Sequence, residues 1–191
     1  MGYISIIADD LTGASDTGIQ FRKYGLKTKV ILDIDELGQF LDQEEILAIN
    51  SNTRPLNGEK AYKIVYDICC LLKQAGFGRI YKKVDSTFRG NPGIELEAVM
   101  DGLNSNLAIL APSFPDNGRC MIDGYLKVSP VYAGTKDEGL TDTINQTDQQ
   151  LGHIPTIIQK QMKRKVASID LETVRQGISA ILSKVEKLCA K

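Results

Sequence analysis

The chain has 191 residues, 42% of them apolar and 25% charged, with 23 basic against 24 acidic side chains. That balance suits a folded core. It supplies neither the basic field of a nucleic-acid binder nor a polybasic membrane footprint. Four cysteines without a C-x-x-C pair and a single histidine, His153, argue against a Cys/His zinc site.

Reduced thiols and a cytoplasmic setting are expected. The N-terminus has no basic, cleavable leader pattern, and no run reaches the ~18 apolar residues of a spanning helix.

In chain order, apolar runs alternate with helical patterns. Residues 3–8 read as a first strand, 10–24 as a helix closed by Gly25, and 27–34 as a second strand followed by a short helix near 36–41. Residues 46–50 form a third strand, 59–74 a helix ending at Gly76, and 79–84 a fourth strand. A helix spans 91–103 with Pro92 in its first turn. Residues 107–111 and 166–171 read as fifth and sixth strands, and 172–188 as one long helix with Val174, Ile178, Ile181, Val185 and Leu188 at helical spacing. Buried, unalternating strands joined by helices predict an α/β fold, a three-layer open sheet, mostly parallel, of about six strands with helices on both faces. The stretch 114–150 is too long for a plain connection and is expected to carry a short hairpin.

In such sheets ligands gather outside the carboxyl ends of the strands. Polar clusters stand there four times: Asp9-Asp10, then 50–54 (NSNTR), 85–91 (DSTFRGN) and 112–119 (PSFPDNGR). One cluster is what a helix cap needs, and Asp10 or Thr12 could serve as one. Four on one rim exceed that requirement. Arginine forks match carboxylates, and Asp, Asn and Ser suit sugar-type hydroxyls, so a small polyhydroxylated acid is the expected ligand. An aspartate beside a hydroxyl could accept its proton. Lys82 and Lys83 alternate on the fourth strand, and one of them is expected to reach the site or a partner. His153 reads as structural. No G-x-x-x-x-G-K-[ST] loop and no G-x-G-x-x-G follows the first strand, so the nucleotide half of a transferase site is missing from the pattern.

The segments ADDLTGASD (8–16), NSNTRPL (50–56), KKVDSTFRGNPGIELEAVMD (82–101), APSFPDNGRCMIDGYL (111–126), and GHIPTIIQKQMKRKV with DLETVRQG (152–177), in this order, resemble the N-terminal domain of the four-carbon acid sugar kinase family. The resemblance spans nearly the whole chain. It implies that residues 1–191 are the sugar-acid-binding domain of a two-domain kinase. The enzyme would phosphorylate threonate, erythronate or their oxo forms with ATP and Mg²⁺, held mainly by a C-terminal nucleotide-binding domain absent from this chain. It implies a pocket lined by Asp9, Asp10, Arg54, Asp85, Ser86, Arg89 and Asn91, with Arg89 and Arg54 on the carboxylate. One of Asp9, Asp10 and Asp85 would be the base. Asn117 and Arg119 join the substrate-binding set from the PSFPDNGR segment, and no metal ligand is expected in this chain. Two departures bear on specificity. NSNTR replaces a more acidic D-T-x-S-R-like pattern, and VYAGTKDEGLTDTINQTDQQLG (131–152) stands where a DPL-like stretch is usual.

The isolated chain is expected to bind a sugar acid without turning it over. The alternative is a stand-alone sugar-acid-binding or regulatory module. Neither reading involves nucleic acid or membrane, and an apolar docking face could pair two copies as a homodimer. A phosphoacceptor receiver domain needs an acceptor aspartate after strand three, where this chain has Asn50 and Asn52. A D-x-D phosphatase needs its aspartates one residue apart, and Asp9 and Asp10 are adjacent.

Overall fold

The longest apolar runs become the centre of a sheet. The computed structural model describes residues 4–41, 46–114, 118–128 and 152–189. It divides into two units, residues 1–110 and 111–191. In the first, strands β1 (Ile4–Ala8), β2 (Thr28–Ile31), β3 (Ile46–Asn50) and β4 (Arg79–Lys83) pair in parallel in the order β2-β3-β1-β4. Ile6, Ile7, Ala8, Leu47, Ala48 and Ile49 are fully buried, as strands covered on both faces must be.

Successive strand residues point to opposite faces. Ile6, Ile46 and Ala48 therefore meet Phe21 of α1 (Leu11–Lys23), with Val30 beside them. Ile7, Leu47 and Ile49 meet Val65, Ile68 and Leu72 of α2 (Gly58–Gln74) and Ala98 of α3 (Pro92–Leu103). In α2 the buried positions Ala61, Val65, Ile68, Cys69 and Leu72 make one helical stripe. Truncating Leu47 or Leu72 to alanine should cost about 2–5 kcal/mol. The two helices touch at Gly102, where a Cβ would lie 2.5 Å from that of Cys69, so no larger residue fits without moving one helix.

The three-layer α/β class holds, with one correction to strand number. The parallel sheet has four strands among the described residues. Residues 107–111 form no strand; Leu107 and Ile109 are exposed, and a short apolar run without a ladder partner gains nothing from being extended. Residues 166–171 form none either, because Asp170 starts a helix by accepting the Thr173 N–H at 2.8 Å. The expected long last helix is two, α5 (Leu171–Arg175) and α6 (Ile178–Cys189), broken at Gly177. The second strand is shorter than expected, since Asp33 caps a 3₁₀ turn at Ile34–Phe40.

The remaining two strands are the expected hairpin. β5 (Arg119–Ile122) and β6 (Tyr125–Val128) are antiparallel and joined by Asp123-Gly124, both at positive φ, as a tight hairpin turn requires. Helix α4 (Ile154–Gln161) follows, its first N–H donating to Gly124 O at 2.9 Å, with Leu126, Ile154 and Ile158 buried. His153 packs its ring 5.2 Å from that of Tyr125 and lies 2.7 Å from the Thr156 hydroxyl. The structural reading of His153 fits these contacts. Among the described residues no helix is long and apolar enough to cross a membrane.

Candidate functional site

Strand order decides which loops meet. Ala8 is in register with Asn50 on one side and Lys83 on the other. The segments that follow β3, β1 and β4 therefore leave the sheet side by side, and three of the four sequence clusters share one rim.

At the end of β1 the two aspartates divide their work. Asp10 adopts extended backbone as the N-cap of α1, and its Oδ1 accepts the Gly13 N–H at 2.7 Å. Asp9 is buried, at 4% exposure, and a buried carboxylate needs a partner. Arg54 supplies it: Nε donates to Asp9 Oδ2 and Nη2 to Asp9 Oδ1, each at 2.9 Å. The third guanidinium nitrogen, Nη1, reaches Asp10 Oδ2 at 2.5 Å, and Nη2 lies 3.4 Å from Asp85 Oδ1. Hydrogen bonding to Asp9 first, against opposing burial, and then the charges of Asp9 and Asp85 hold the Arg54 guanidinium protonated well above its ordinary range.

The loop after β4 folds around Asp85, also 5% exposed. Its Oδ2 accepts from the Thr87 hydroxyl at 2.6 Å, from Arg89 Nε at 2.8 Å and from the Thr87 and Arg89 backbone N–H groups at 3.2 Å. Its Oδ1 accepts from Arg89 Nη2 at 2.9 Å. Burial pushes the Asp85 carboxyl up, but the Arg89 and Thr87 hydrogen bonds and the Arg54 charge outweigh it, leaving it well below the usual carboxylate range. Phe88 sits at φ +57°, unusual for a bulky residue, and is held there by burial and by its N–H on Asp85 O. Gly90, at φ +79°, lets this loop approach Arg54; a Cβ there would be 3.3 Å from Arg54 Cα, Cγ and O.

The sequence-predicted residues thus fall into groups. Asp9, Asp10, Arg54, Asp85 and Arg89 form one connected cluster. Three carboxylates face two guanidiniums, which leaves a net negative charge inside the rim. Arg89 has a side chain 65% exposed, so its outer edge is open to a ligand. Ser86 is exposed on the same loop. Asn91 has its amide on Leu56 O at 2.9 Å, tying the two loops together. Arg119 is half-buried on β5 in the second unit, and Asn117 lies outside the described residues. Of the two lysines, Lys82 has a partner, Glu95 Oε2 at 2.7 Å, and Lys83 Nζ reaches Val84 O at 2.6 Å.

Sequence reading passed over Ser51, Thr53 and Glu95, all buried behind Arg54. Glu95 stands in the first turn of α3, where an acid is ordinary. Only the apolar positions flanking it hinted that it faces inward.

The N-terminus of α1 is closed by the Asp10 carboxylate, which repels phosphate. Among the described residues no three His, Cys, Asp or Glu side chains are grouped to hold a metal ion.

The arginine-clasped carboxylate cluster stands at the carboxyl ends of the strands, where open parallel sheets take their ligands. The chain belongs to the family described as the sugar-binding N-terminal domain, whose model matches residues 4–191. It is 34% identical over 187 residues to a D-erythronate kinase of Heliobacterium modesticaldum, covering 95% of this chain and 41% of that one. It is 36% identical over 162 residues to a D-threonate kinase of Bordetella bronchiseptica, covering 82% and 39%. A Bordetella bronchiseptica crystal structure, a domain-swapped dimer with bound citrate, is similar with a TM-score of 0.66 at 35% identity, over 82% of this chain and 39% of that one. The chain therefore spans about two-fifths of the length of these relatives.

Proposed function

We propose that this chain is the substrate-binding part of an ATP-dependent kinase for a four-carbon sugar acid of the erythronate, threonate or oxo-tetronate type. The observation that carries the reading is the exposed Arg89 guanidinium, anchored on buried Asp85 and standing next to the Arg54–Asp9–Asp10 cluster. An anchored fork with a free edge suits a carboxylate. The names of the relatives point the same way, and the citrate bound by the Bordetella protein is itself a hydroxy acid.

Within the cluster, exposure favours Asp10 as the acceptor of the substrate hydroxyl proton. Its Oδ1 caps α1 and its Oδ2 meets Arg54 Nη1, but its side chain is 26% exposed, against 5% for both Asp9 and Asp85. Arg89 takes the substrate carboxylate, Ser86 and Asn91 border the hydroxyls, and Arg54 fixes the acids in place. The phosphoryl donor, ATP with Mg²⁺, is held by a further domain of the same enzyme, since the residues of this rim do not fit it.

Calorimetric titration of the chain with D-erythronate, D-threonate and 3-oxo-tetronate tests the reading. At least one is expected to bind, and Arg89→Ala should weaken it about tenfold or more. The purified chain with Mg²⁺-ATP should form no phosphorylated product. Binding of none of the three acids, or turnover by the chain alone, overturns this assignment.

A further inference from the structure

Behind the rim lies a polar chain that a small-molecule site of this kind does not itself require. Lys82 on β4 and Glu95 on α3 form an ion pair at 2.7 Å with side chains 5% and 1% exposed. A buried ion pair is a weak stabiliser, because desolvation offsets the attraction, so its presence calls for another reason. Glu95 divides its two oxygens. Oε2 faces Lys82, while Oε1 accepts the Thr53 hydroxyl at 2.9 Å. Thr53 is fully buried and immediately precedes Arg54. Its hydroxyl also lies 2.9 Å from Ser51 Oγ, which donates to Ala8 O at 2.8 Å, and Ala8 immediately precedes Asp9. Lys82 is itself held by Lys83 O at 2.8 Å. The polar chain therefore ends on the residue before each partner of the Arg54–Asp9 clasp. Two backbone hydrogen bonds, Ser51 N–H to Ala8 O at 2.9 Å and Arg54 N–H to Asp9 O at 3.2 Å, fix the same two strand ends together.

We propose that Glu95 and Lys82 are positioning residues that set the Arg54–Asp9 clasp through the Thr53 hydroxyl. The inference adds to the sugar-acid reading and rests on it for the ligand alone. Glu95, neutralised by Lys82, holds Thr53 in one rotamer, and that fixes the backbone from which the Arg54 side chain leaves. Without the hydroxyl contact the loop 51–57 keeps its backbone bonds but loses the side-chain tether at its base, and the guanidinium fork is free to slip off Asp9.

The test compares Thr53→Val, which keeps shape and loses the hydroxyl, with Thr53→Ser, which keeps the hydroxyl. A double variant, Lys82→Met with Glu95→Leu, replaces the ion pair by an apolar pair of similar volume. Folding is followed by thermal melting. The clasp is followed by the Arg54 Nε–H resonance, identified by its loss in Arg54→Lys, and affinity by titration with D-erythronate and D-threonate.

Thr53→Val and the double variant should fold, lose the slowly exchanging Arg54 Nε–H signal and bind about tenfold more weakly. Thr53→Ser should keep both. If Thr53→Val and the double variant retain the Arg54 signal and wild-type affinity, the positioning role is wrong. If the double variant recovers both signal and affinity together with its melting temperature, the pair is structural only and the role is equally wrong. Should the unmodified chain bind neither acid, the functional reading fails while the Arg54 resonance still decides the positioning claim. Should the double variant not fold, the Thr53 pair decides it.

Discussion

Arg54 grips Asp9 through two parallel hydrogen bonds of 2.9 Å each, although the two residues are 45 positions apart in the chain. The fork joins the end of β1 to the loop after β3. Breaking it leaves a carboxylate in a site too buried to rehydrate it. Arg54→Ala should therefore cost about 2–3 kcal/mol of stability, less than the loss for a fully buried pair because Arg54 retains some solvent contact. Arg54→Lys should recover under half of that, since an ammonium offers no fork. Urea unfolding of the three chains measures this; an Arg54→Ala chain as stable as wild type would show that the clasp is not structural.

The Asp85 carboxyl is held below its ordinary range, which gives a pH signature. A depressed folded-state value contributes stability that is complete above the unfolded value, about 3.9, and is lost as pH falls through the folded value. Asp85→Asn should be clearly less stable than wild type at pH 7. The gap should stay constant down to about pH 4 and shrink at lower pH. Denaturant midpoints for both chains from pH 7 to pH 2.5 report the gap directly; a gap that widens on acidification has the wrong sign for this account.

Gly90 combines positive φ with a close approach to Arg54. Gly90→Ala should lose about 1–2 kcal/mol from left-handed backbone strain. The added Cβ, 3.3 Å from three Arg54 atoms, should also push the loop outward and weaken sugar-acid binding beyond what the stability loss explains. The comparison that checks it is Gly25→Ala, at φ +80° with open space around it, which should show the strain and leave binding unchanged.

The cysteines differ sharply in burial. Burial, with the neighbouring Cys70, pushes the Cys69 thiol up to about 12, whereas Cys120 and Cys189 are exposed. Only the thiolate reacts. Alkylation of the native chain at pH 8 followed by peptide mass spectrometry should label Cys120 and Cys189 within minutes and Cys69 only after denaturation. Prompt labelling of Cys69 would mean that the α2–α3 contact opens readily.

Asp10 serves as both a cap and a candidate base, and the two roles separate by substitution. Asp10→Asn keeps an oxygen for the Gly13 N–H and loses the charge facing Arg54 Nη1, whereas Asp10→Ala loses both contacts and should be the less stable of the two by about 1 kcal/mol. If Asp10 is the acceptor, both variants should abolish turnover alike in the full-length protein proposed to be a kinase. Activity retained in Asp10→Asn would move the base to another group.

Much of the first unit was legible because its signals are local. Strands at Ile4–Ala8 and Ile46–Asn50 are short apolar runs between turn residues, and α2 carries its stripe at regular spacing. The hairpin was expected from the length of 114–150, and Asp123-Gly124, both at positive φ, closes it. The misreadings arose where a local signal was ambiguous. Residues 107–111 are as apolar as a strand but have no neighbour to pair with, and pairing is not written in a five-residue run. Gly177 was overlooked because the helical spacing continues across it.

The site divides along the same line. The sequence by itself determined which groups are available: aspartates, arginines and hydroxyls placed just beyond apolar strands, because side-chain chemistry and strand ends are both local properties. Only the tertiary structure decided how those groups are spent. Strand order β2-β3-β1-β4 puts Asp9 between the loops carrying Arg54 and Asp85. Burial then forces each inner carboxylate onto a guanidinium, leaving Arg89 as the member most open to solvent, with Asp10 and Arg54 partly exposed. Glu95 gained its place in the same way. A charge with no special neighbours in sequence becomes a tether once α3 packs it, desolvated, against Lys82 and Thr53, because a buried charge must find its partners wherever the fold brings them.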